Sequence, residues 1–123
     1  KYSNLDQRPI FVPSVGNFRQ GMLVSVPLYL DHLEGKPKAT DLHEALVDRY
    51  EGCDLIRVVP LNDASITSGR LEAESLNNTD KLEIRVYAHE VHRQAVLVAK
   101  LDNLGKGASG AAVQNLKLML GIS

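Results

Sequence analysis

The sequence predicts an α+β fold, a mostly antiparallel mixed sheet covered by helices. Several segments alternate between apolar and polar residues, as half-buried strands do. Two others repeat apolar residues at helical spacing after capping residues. The strands largely follow one another along the chain, which indicates an α+β domain with one covered sheet face. The 123 residues are enough for one compact domain, which we assign to residues 1–123.

Five segments are predicted as strands, at 10–12, 22–30, 55–61, 81–89 and 95–101. The first ends at Pro13, and Pro27 within the second indicates an edge position or a bulge, because proline lacks the N–H group that a sheet ladder needs. The last two are predicted to pair antiparallel through a hairpin loop at 90–93. In 81–89 the alternation assigns Leu82, Ile84, Val86 and Ala88 to the inward face and Glu83, Arg85 and Tyr87 to the outward face.

Helices are predicted at 41–51 and 107–120, and 62–79 is predicted to be irregular with one helical turn near 71–73. Thr40 or Asp41 can cap the first helix, since Asp41 has Glu44 three residues further on, and Gly52 can end it in a left-handed conformation. The last helix is expected to bury its apolar face within this domain or against a second chain. That face comprises Val113, Leu116, Met119 and Leu120.

Charge and cysteine content exclude several classes of function. Fourteen basic and fifteen acidic residues leave a net charge of -1, so we expect no nucleic-acid partner and no membrane surface. The single cysteine, Cys53, allows no internal disulfide, and we expect a cytoplasmic protein. The chain starts without a methionine on residues that read like the middle of a loop, so we expect it to be part of a longer protein.

The segment after the last predicted strand contains the main candidates for a ligand-binding site. It joins a strand end, a turn containing Gly105 and Gly107, and a helix of small residues. Amide groups at a helix N-terminus favour an anion such as a cofactor phosphate, and Lys106 adds a positive charge. Asn103 carries a donor and an acceptor that suit an amide ligand. Alternatively, Asn103 only fixes the turn, the glycines permit it, and Lys106 is solvated.

The same segment resembles a known family. The run Asp102-Asn103-Leu104-Gly105-Lys106-Gly107-Ala108-Ser109-Gly110-Ala111-Ala112-Val113-Gln114-Asn115-Leu116, followed by Met119-Leu120-Gly121, is similar to the closing segment of N-acetyl-gamma-glutamyl-phosphate reductases of the semialdehyde dehydrogenase family. A looser resemblance runs from Phe11-Val12-Pro13 to Gln20-Gly21-Met22. Together they cover about half of the chain.

The resemblance implies a two-domain enzyme, with a nucleotide-binding Rossmann domain first and a glyceraldehyde-3-phosphate dehydrogenase-like C-terminal domain second. The second domain also builds a homodimer or homotetramer. In the implied reaction of arginine biosynthesis, a cysteine attacks N-acetyl-glutamyl phosphate, phosphate leaves, and NADPH reduces the thioester to a semialdehyde. The positions implied to face NADP(H) or the substrate are Asn103, Gly105, Lys106 and Gly107.

The chain departs from the family in its catalytic motifs. It has neither the Asn-Pro-Gly-Cys-like turn nor the His-x-Pro-Glu-like segment, so we assign no catalytic residue and expect the chain alone to be inactive. Arg19 and Gln20, in the loop before the long strand, are candidate contacts for the substrate phosphate; alternatively, Arg19 is a plain surface arginine. Cys53 is expected to be an inert packing residue, and His89 and His92 are expected to be solvated rather than metal ligands.

Two other interpretations stay open. The first is another semialdehyde dehydrogenase, such as an aspartate-semialdehyde dehydrogenase. The second is a non-catalytic oligomerisation or binding module, which needs no cofactor-facing Asn-x-Gly-Lys-Gly turn. A preceding sequence with a Gly-x-Gly-x-x-Gly strand turn and a cysteine in a tight loop would favour the enzyme.

Overall fold

The computed structural model describes residues 8–122. Its strands are β1 (Met22–Tyr29), β2 (Ile56–Val58), β3 (Leu82–His89) and β4 (Gln94–Leu101), and its α-helices are α1 (Ala39–Tyr50), α2 (Ala64–Thr67) and α3 (Gly110–Leu120). A short 3-10 turn at Leu30–His32 follows β1, and a π-helical turn at Gly105–Ser109 leads into α3. The last helix therefore begins three residues later than predicted, because the first turn after β4 is wound more widely than an α-helix.

The sheet is mixed and mostly antiparallel, which confirms the predicted fold class. Its strand order is β1-β4-β3-β2. β4 pairs antiparallel with both β1 and β3, and the hairpin through residues 90–93 is confirmed. β2 pairs parallel with β3. β1 lies at an edge of the sheet, so Pro27 is on an edge strand, which was one of the two positions predicted for it.

The predicted strand at 10–12 is wrong. Residues 10–13 lie in irregular backbone, and Ile10, Phe11 and Val12 are 92%, 86% and 81% exposed. Apolar residues form a strand only where a neighbouring strand takes up their backbone hydrogen bonds, and the described sheet ends at β1. The predicted strand at 55–61 is also shorter than expected, since β2 ends before Pro60.

Helix α1 begins earlier than predicted and uses Asp41 differently. Lys38 is the N-cap residue, and its amide donates to Asp41 Oδ2 at 2.7 Å, so Asp41 acts from the third position of the helix and is not the cap. The predicted end is confirmed, because Gly52 follows the helix with φ of +75°. α1 packs against β2 and β3, where the His43 ring lies 3.0 Å from the Val59 carbonyl oxygen.

The excursion between β2 and β3 holds a helical turn, but at α2 and not near 71–73. Asp63 caps α2, because its Oδ1 accepts from the Ser65 amide at 2.9 Å. The hydrogen bonds from the Ser65 hydroxyl and amide hold the pKa of Asp63 below its ordinary value. The predicted position of the turn was wrong because the prediction overlooked Asp63 as a capping residue.

The outward face predicted for β3 is buried at Glu83 and Arg85. These residues, together with Lys100 opposite Glu83 on β4, are only 5% to 7% exposed. Arg85 lies 2.7 Å and Lys100 Nζ 2.9 Å from Glu83 Oε1. We call these three residues the Glu83 cluster. Arg85 also donates to Ser65 Oγ at 2.9 Å, so the excursion bearing α2 covers this face.

Charge neutralisation explains why polar residues occupy this inner position. Burial alone would raise the pKa of Glu83, but the hydrogen bonds from Lys100 and Arg85 and their positive charges lower it overall. The carboxylate is therefore charged at neutral pH and offsets part of the positive charge of Arg85 and Lys100. The strand itself was predicted correctly, but the assignment of its two faces was wrong at Glu83 and Arg85, which are buried, and at Ala88, which was predicted to face inward and is exposed next to the β3–β4 hairpin.

Two apolar surfaces are left uncovered in the described part of the chain. On β1, Met22, Val24 and Val26 share one face and are 39% to 46% exposed. On α3, Val113, Leu116, Met119 and Leu120 are 53% to 83% exposed. Helix α3 packs mainly on the π-helical turn that precedes it. Its apolar face is thus not buried within these residues, which leaves the alternative of another chain or domain.

Candidate functional site at the end of β4

Three loops meet at one end of the sheet. Residue 22 of β1 lies opposite residue 101 of β4, which in turn lies opposite residue 82 of β3. Because β4 runs antiparallel to both neighbours, the chain enters β1 and β3 at the same end at which it leaves β4. The topology therefore brings together the loops at 17–21 and 77–80 and the segment 102–109, which we call the closing turn.

Asp102 joins these three loops. Its side chain is 1% exposed. Oδ2 accepts from Gln20 Nε2 at 3.0 Å and from the Asn78 amide at 2.7 Å, while Oδ1 accepts from the Leu104 amide at 2.9 Å. One buried carboxylate thus binds the loop before β1, the loop before β3 and its own turn.

The surroundings of Asp102 keep it ionised. Burial by itself would raise the pKa of Asp102, but hydrogen bonds from the amides of Leu104, Asn78 and Gly105 and from Gln20 lower it below the ordinary value of 3.8. Amide donors stabilise the charged form of a carboxylate. At neutral pH the three loops are therefore held by charge-assisted hydrogen bonds.

Amide side chains reinforce the same junction. Asn103 Oδ1 accepts from the Gly21 amide at 2.8 Å, so successive residues at the end of β4 bind successive residues before β1. Gln20 Nε2 also donates to Asn78 Oδ1 at 3.0 Å, and Asn77 Nδ2 donates to the Gln20 carbonyl oxygen at 3.1 Å. We call Gln20, Asn77, Asn78, Asp102 and Asn103 the polar junction.

The residues predicted to face a cofactor all lie on the closing turn. The oxygen of Asn103 is used within the fold, which leaves Nδ2 as the atom available to a ligand. Gly105 lies against the loop before β3, where a β-carbon would come within 2.7 Å of the Thr79 carbonyl oxygen. Lys106 Nζ donates to Gln114 Oε1 at 2.6 Å, and Gly107 is exposed.

The amides at the start of the helical segment were expected to attract a cofactor anion. Those of Leu104 and Gly107 are instead bonded to Asp102, through its carboxylate and its carbonyl oxygen respectively. A second carboxyl group, that of Asp80, lies so close to Gly110 that a β-carbon there would overlap it. Acidic groups of the chain itself therefore occupy this end of the helix.

A cleft of about 410 Å³ opens beside the polar junction. Arg19 lines it together with Gly105, so the structure brings the predicted substrate residue to the same place as one of the predicted cofactor residues. The cleft carries both signs of charge, since Asp80 and Asp102 also line it. The remaining lining residues are Gln20, Asn78, Thr79, Leu104 and Ser109.

Asp102 and Asn78 were not predicted to have a role in the site. A local signal for Asp102 existed, because an aspartate that bonds the amide two residues further on is characteristic of an Asx turn. Gln20 was predicted as a contact for the substrate phosphate, but its side chain is buried and donates to Asn78 and Asp102, which are 58 and 82 residues away and which no local sequence pattern links to it. Only the sheet topology brings them together.

The other candidates lie away from this site. Cys53 is exposed in the turn after α1, so the expectation that it packs in the interior is wrong. The rings of His89 and His92 stack at the β3–β4 hairpin, with centroids 4.4 Å apart. Among residues 8–122, no cluster of three or more His, Cys, Asp or Glu side chains has a geometry suited to a metal ion. No helix in this range is long and apolar enough to cross a membrane.

Comparison with known proteins identifies the family to which this chain belongs. Residues 1–103 match the family described as semialdehyde dehydrogenase, dimerisation domain, and the chain belongs to that family. Its relatives include N-acetyl-gamma-glutamyl-phosphate reductases of Brucella ovis, Brucella canis and Brucella abortus, each 53% identical over 120 residues. These matches cover 98% of this chain but 38% of each relative, so the chain spans well under half of their length.

Proposed function

We propose that this chain is the second domain of an N-acetyl-gamma-glutamyl-phosphate reductase, which reduces N-acetyl-glutamyl phosphate to N-acetylglutamate semialdehyde in arginine biosynthesis. The observation that carries this proposal is the 53% identity to reductases of that name over 98% of the chain. We further propose that the full-length enzyme uses NADP(H), acts in the cytoplasm and assembles as a homodimer or homotetramer.

In the proposed reaction, a cysteine thiolate attacks the acyl carbon, phosphate leaves, and a thioester forms. NADPH, when bound, supplies the hydride that reduces this thioester, and the thiolate is released with the aldehyde. The motif resembling the nucleophile turn does not occur in these 123 residues. We therefore place the nucleophile in the part of the enzyme that this chain does not span, and expect the chain alone to be inactive.

The proposed role of this chain is to bind and orient the reactants. Asn103, Gly105, Lys106 and Gly107 are the proposed cofactor positions. The chemistry of the closing turn fits such a ligand, because Asn103 Nδ2 is a donor, Lys106 is a cation, and exposed Gly107 has no side chain to hinder a flat group. Arg19, at the neighbouring cleft, is the proposed contact for the substrate phosphate.

The test is a steady-state assay of the full-length protein, following NADPH consumption with N-acetyl-glutamyl phosphate and with aspartyl phosphate. We expect the N-acetyl-glutamyl substrate to be preferred in kcat/KM. Preference for aspartyl phosphate would favour an aspartate-semialdehyde dehydrogenase instead. Absence of turnover with either substrate, in a protein that is folded and oligomeric, would favour a non-catalytic module.

A further inference from the structure

We propose that Asp102 is a positioning residue of the reductase site, one that holds the closing turn in the conformation that presents Asn103, Lys106 and Gly107 to the nicotinamide cofactor. This inference rests on the proposed function, since it assigns a role within the same site. Asp102 acts through the turn and is not itself a catalytic residue.

Its contacts indicate support of the turn. The carboxylate is 1% exposed, and both of its oxygens already accept hydrogen bonds. A group so engaged has little capacity left for a ligand. Because Gln20 and Asn78 are anchored outside the closing turn, Asp102 sets the position of the turn relative to two other loops.

Asn103, the residue after Asp102, adds a second hydrogen bond between the same two segments. Asp102 binds Gln20 while Asn103 binds Gly21, so two consecutive residues hold the end of β4 to the loop before β1. If the Asp102 bonds are lost, one of these two side-chain bonds remains, the one that Asn103 Oδ1 accepts from the Gly21 amide. The closing turn would then no longer be bonded to Gln20 and Asn78, and the Nδ2 group proposed to face the cofactor would depend on the Asn103–Gly21 bond alone for its position.

The close packing of the loops transmits any displacement. Gly105 approaches the Thr79 carbonyl oxygen so closely that a β-carbon would lie 2.7 Å from it. At Gly21, where φ is +114°, a β-carbon would lie 2.5 Å from the Ala73 carbonyl oxygen. Segments fitted this tightly move together, so a change at Asp102 also displaces Gly105 and the turn that follows.

The test compares the full-length wild-type enzyme with Asp102→Asn. Asparagine keeps the size of the side chain but replaces one acceptor oxygen with a donor, which opposes at least one of the N–H groups that Asp102 binds. We expect the KM and the directly measured Kd for NADPH to rise about tenfold or more, because small displacements of positioning groups have large kinetic effects. The Kd is obtained from the fluorescence of bound NADPH, independently of turnover.

Glu83→Gln is the matched control. Glu83 is also a buried carboxylate, bonded to the buried basic residues Arg85 and Lys100, but it belongs to the Glu83 cluster and not to the polar junction. It should lower the melting temperature while leaving the Kd for NADPH within about twofold of wild type. An equal loss of NADPH affinity in both variants would overturn the proposal, since general destabilisation would then explain it.

The remaining outcomes separate this inference from the proposed function. If wild type reduces the acyl phosphate and Asp102→Asn keeps its KM and Kd within about twofold, the role of Asp102 is refuted while the function stands. If wild type neither binds NADPH nor turns over, the proposed function itself fails. Should Asp102→Asn not fold, Gln20→Met removes one donor from the same carboxylate; a several-fold rise in Kd supports the role of Asp102, and an unchanged Kd overturns it.

Discussion

Glu83 shows how one carboxylate allows two basic side chains to remain inside a small domain. Arg85 and Lys100 both lie within 3 Å of Glu83 Oε1, and all three side chains are buried. Replacing one partner of such a group leaves uncompensated charge in a medium of low polarity, which is strongly unfavourable. The stability of the domain should therefore depend more on this carboxylate than on its exposed ion pairs.

We predict that Glu83→Gln lowers the free energy of unfolding at pH 7 by about 3 kcal/mol. The pKa of Glu83 is below its ordinary value of 4.5, so this stabilisation is complete above about pH 5 and is lost as the pH falls through the lowered pKa. The difference between wild type and variant should accordingly shrink in acid. Urea unfolding of both proteins between pH 3 and pH 7 measures it.

Glu72→Gln is the control for this prediction. Glu72 pairs with Arg70 at 2.8 Å, but their side chains are 60% and 80% exposed, so the change should be below about 0.5 kcal/mol. Equal effects of the two substitutions would show that burial of the Glu83 cluster has no energetic consequence. A difference that stays constant down to pH 3 would contradict the lowered pKa.

Glycine at position 105 is required by packing. Gly105→Ala places a methyl group 2.7 Å from the Thr79 carbonyl oxygen, which can move only with its backbone, so we expect a loss of about 1 to 3 kcal/mol. Gly107→Ala is the matched control, because its nearest atom is the flexible Leu101 Cδ1 at 3.3 Å. Thermal unfolding should separate the two variants, and equal melting temperatures would contradict this packing.

At the residue scale, what the sequence reveals depends on how local the interaction is. Asp102 accepts a hydrogen bond from the amide of Leu104, two residues further along the chain, and such a local bond can be predicted from the sequence. The bond from Gln20 requires β1 and β4 to be neighbours first. The alternation in β3 likewise assigned Glu83 to the outward face. Periodicity shows which residues share a face of a strand, but it does not show whether another element covers that face.

At the element scale, the start of α1 depends on Asp41. Asp41→Ala removes the acceptor for the Lys38 amide and a negative charge from the first turn, so we expect a loss of about 1 kcal/mol. Asp48→Ala removes an exposed acid near the end of the same helix, where a negative charge is unfavourable, and should not destabilise the protein. Chemical denaturation tests both, and equal losses would refute the capping role.

Elements with strong periodicity and a sheet partner were predictable. The hairpin of β3 and β4, the edge position of β1 and the end of α1 at Gly52 followed from alternation, proline and glycine. The segment 10–12 has the composition of a strand, but it pairs with none of the described strands. Whether a strand finds a partner depends on the topology and cannot be predicted from the local sequence. Helix α2 depends on one capping residue, Asp63, which the prediction overlooked.

At the scale of the whole molecule, the uncovered face of β1 suits the proposed homo-oligomer. Val24 and Val26 are exposed together on one side of an edge strand, in a chain whose family is described as a dimerisation domain. We predict that Val26→Glu in the full-length protein shifts the assembly to smaller species in sedimentation velocity, because a charge in an apolar interface is unfavourable. Val91→Glu, at the 84% exposed hairpin, is the control. An unchanged assembly in the Val26 variant would exclude this face.

We propose that the closing turn of this domain faces a nicotinamide cofactor in the full-length enzyme. Hydrogen exchange measured by mass spectrometry, with and without saturating NADPH, tests it most directly. We predict slower exchange of the amides at 103–107 on binding, with no change at the hairpin residues 90–93. Unchanged exchange at 103–107 while NADPH is bound would contradict the claim.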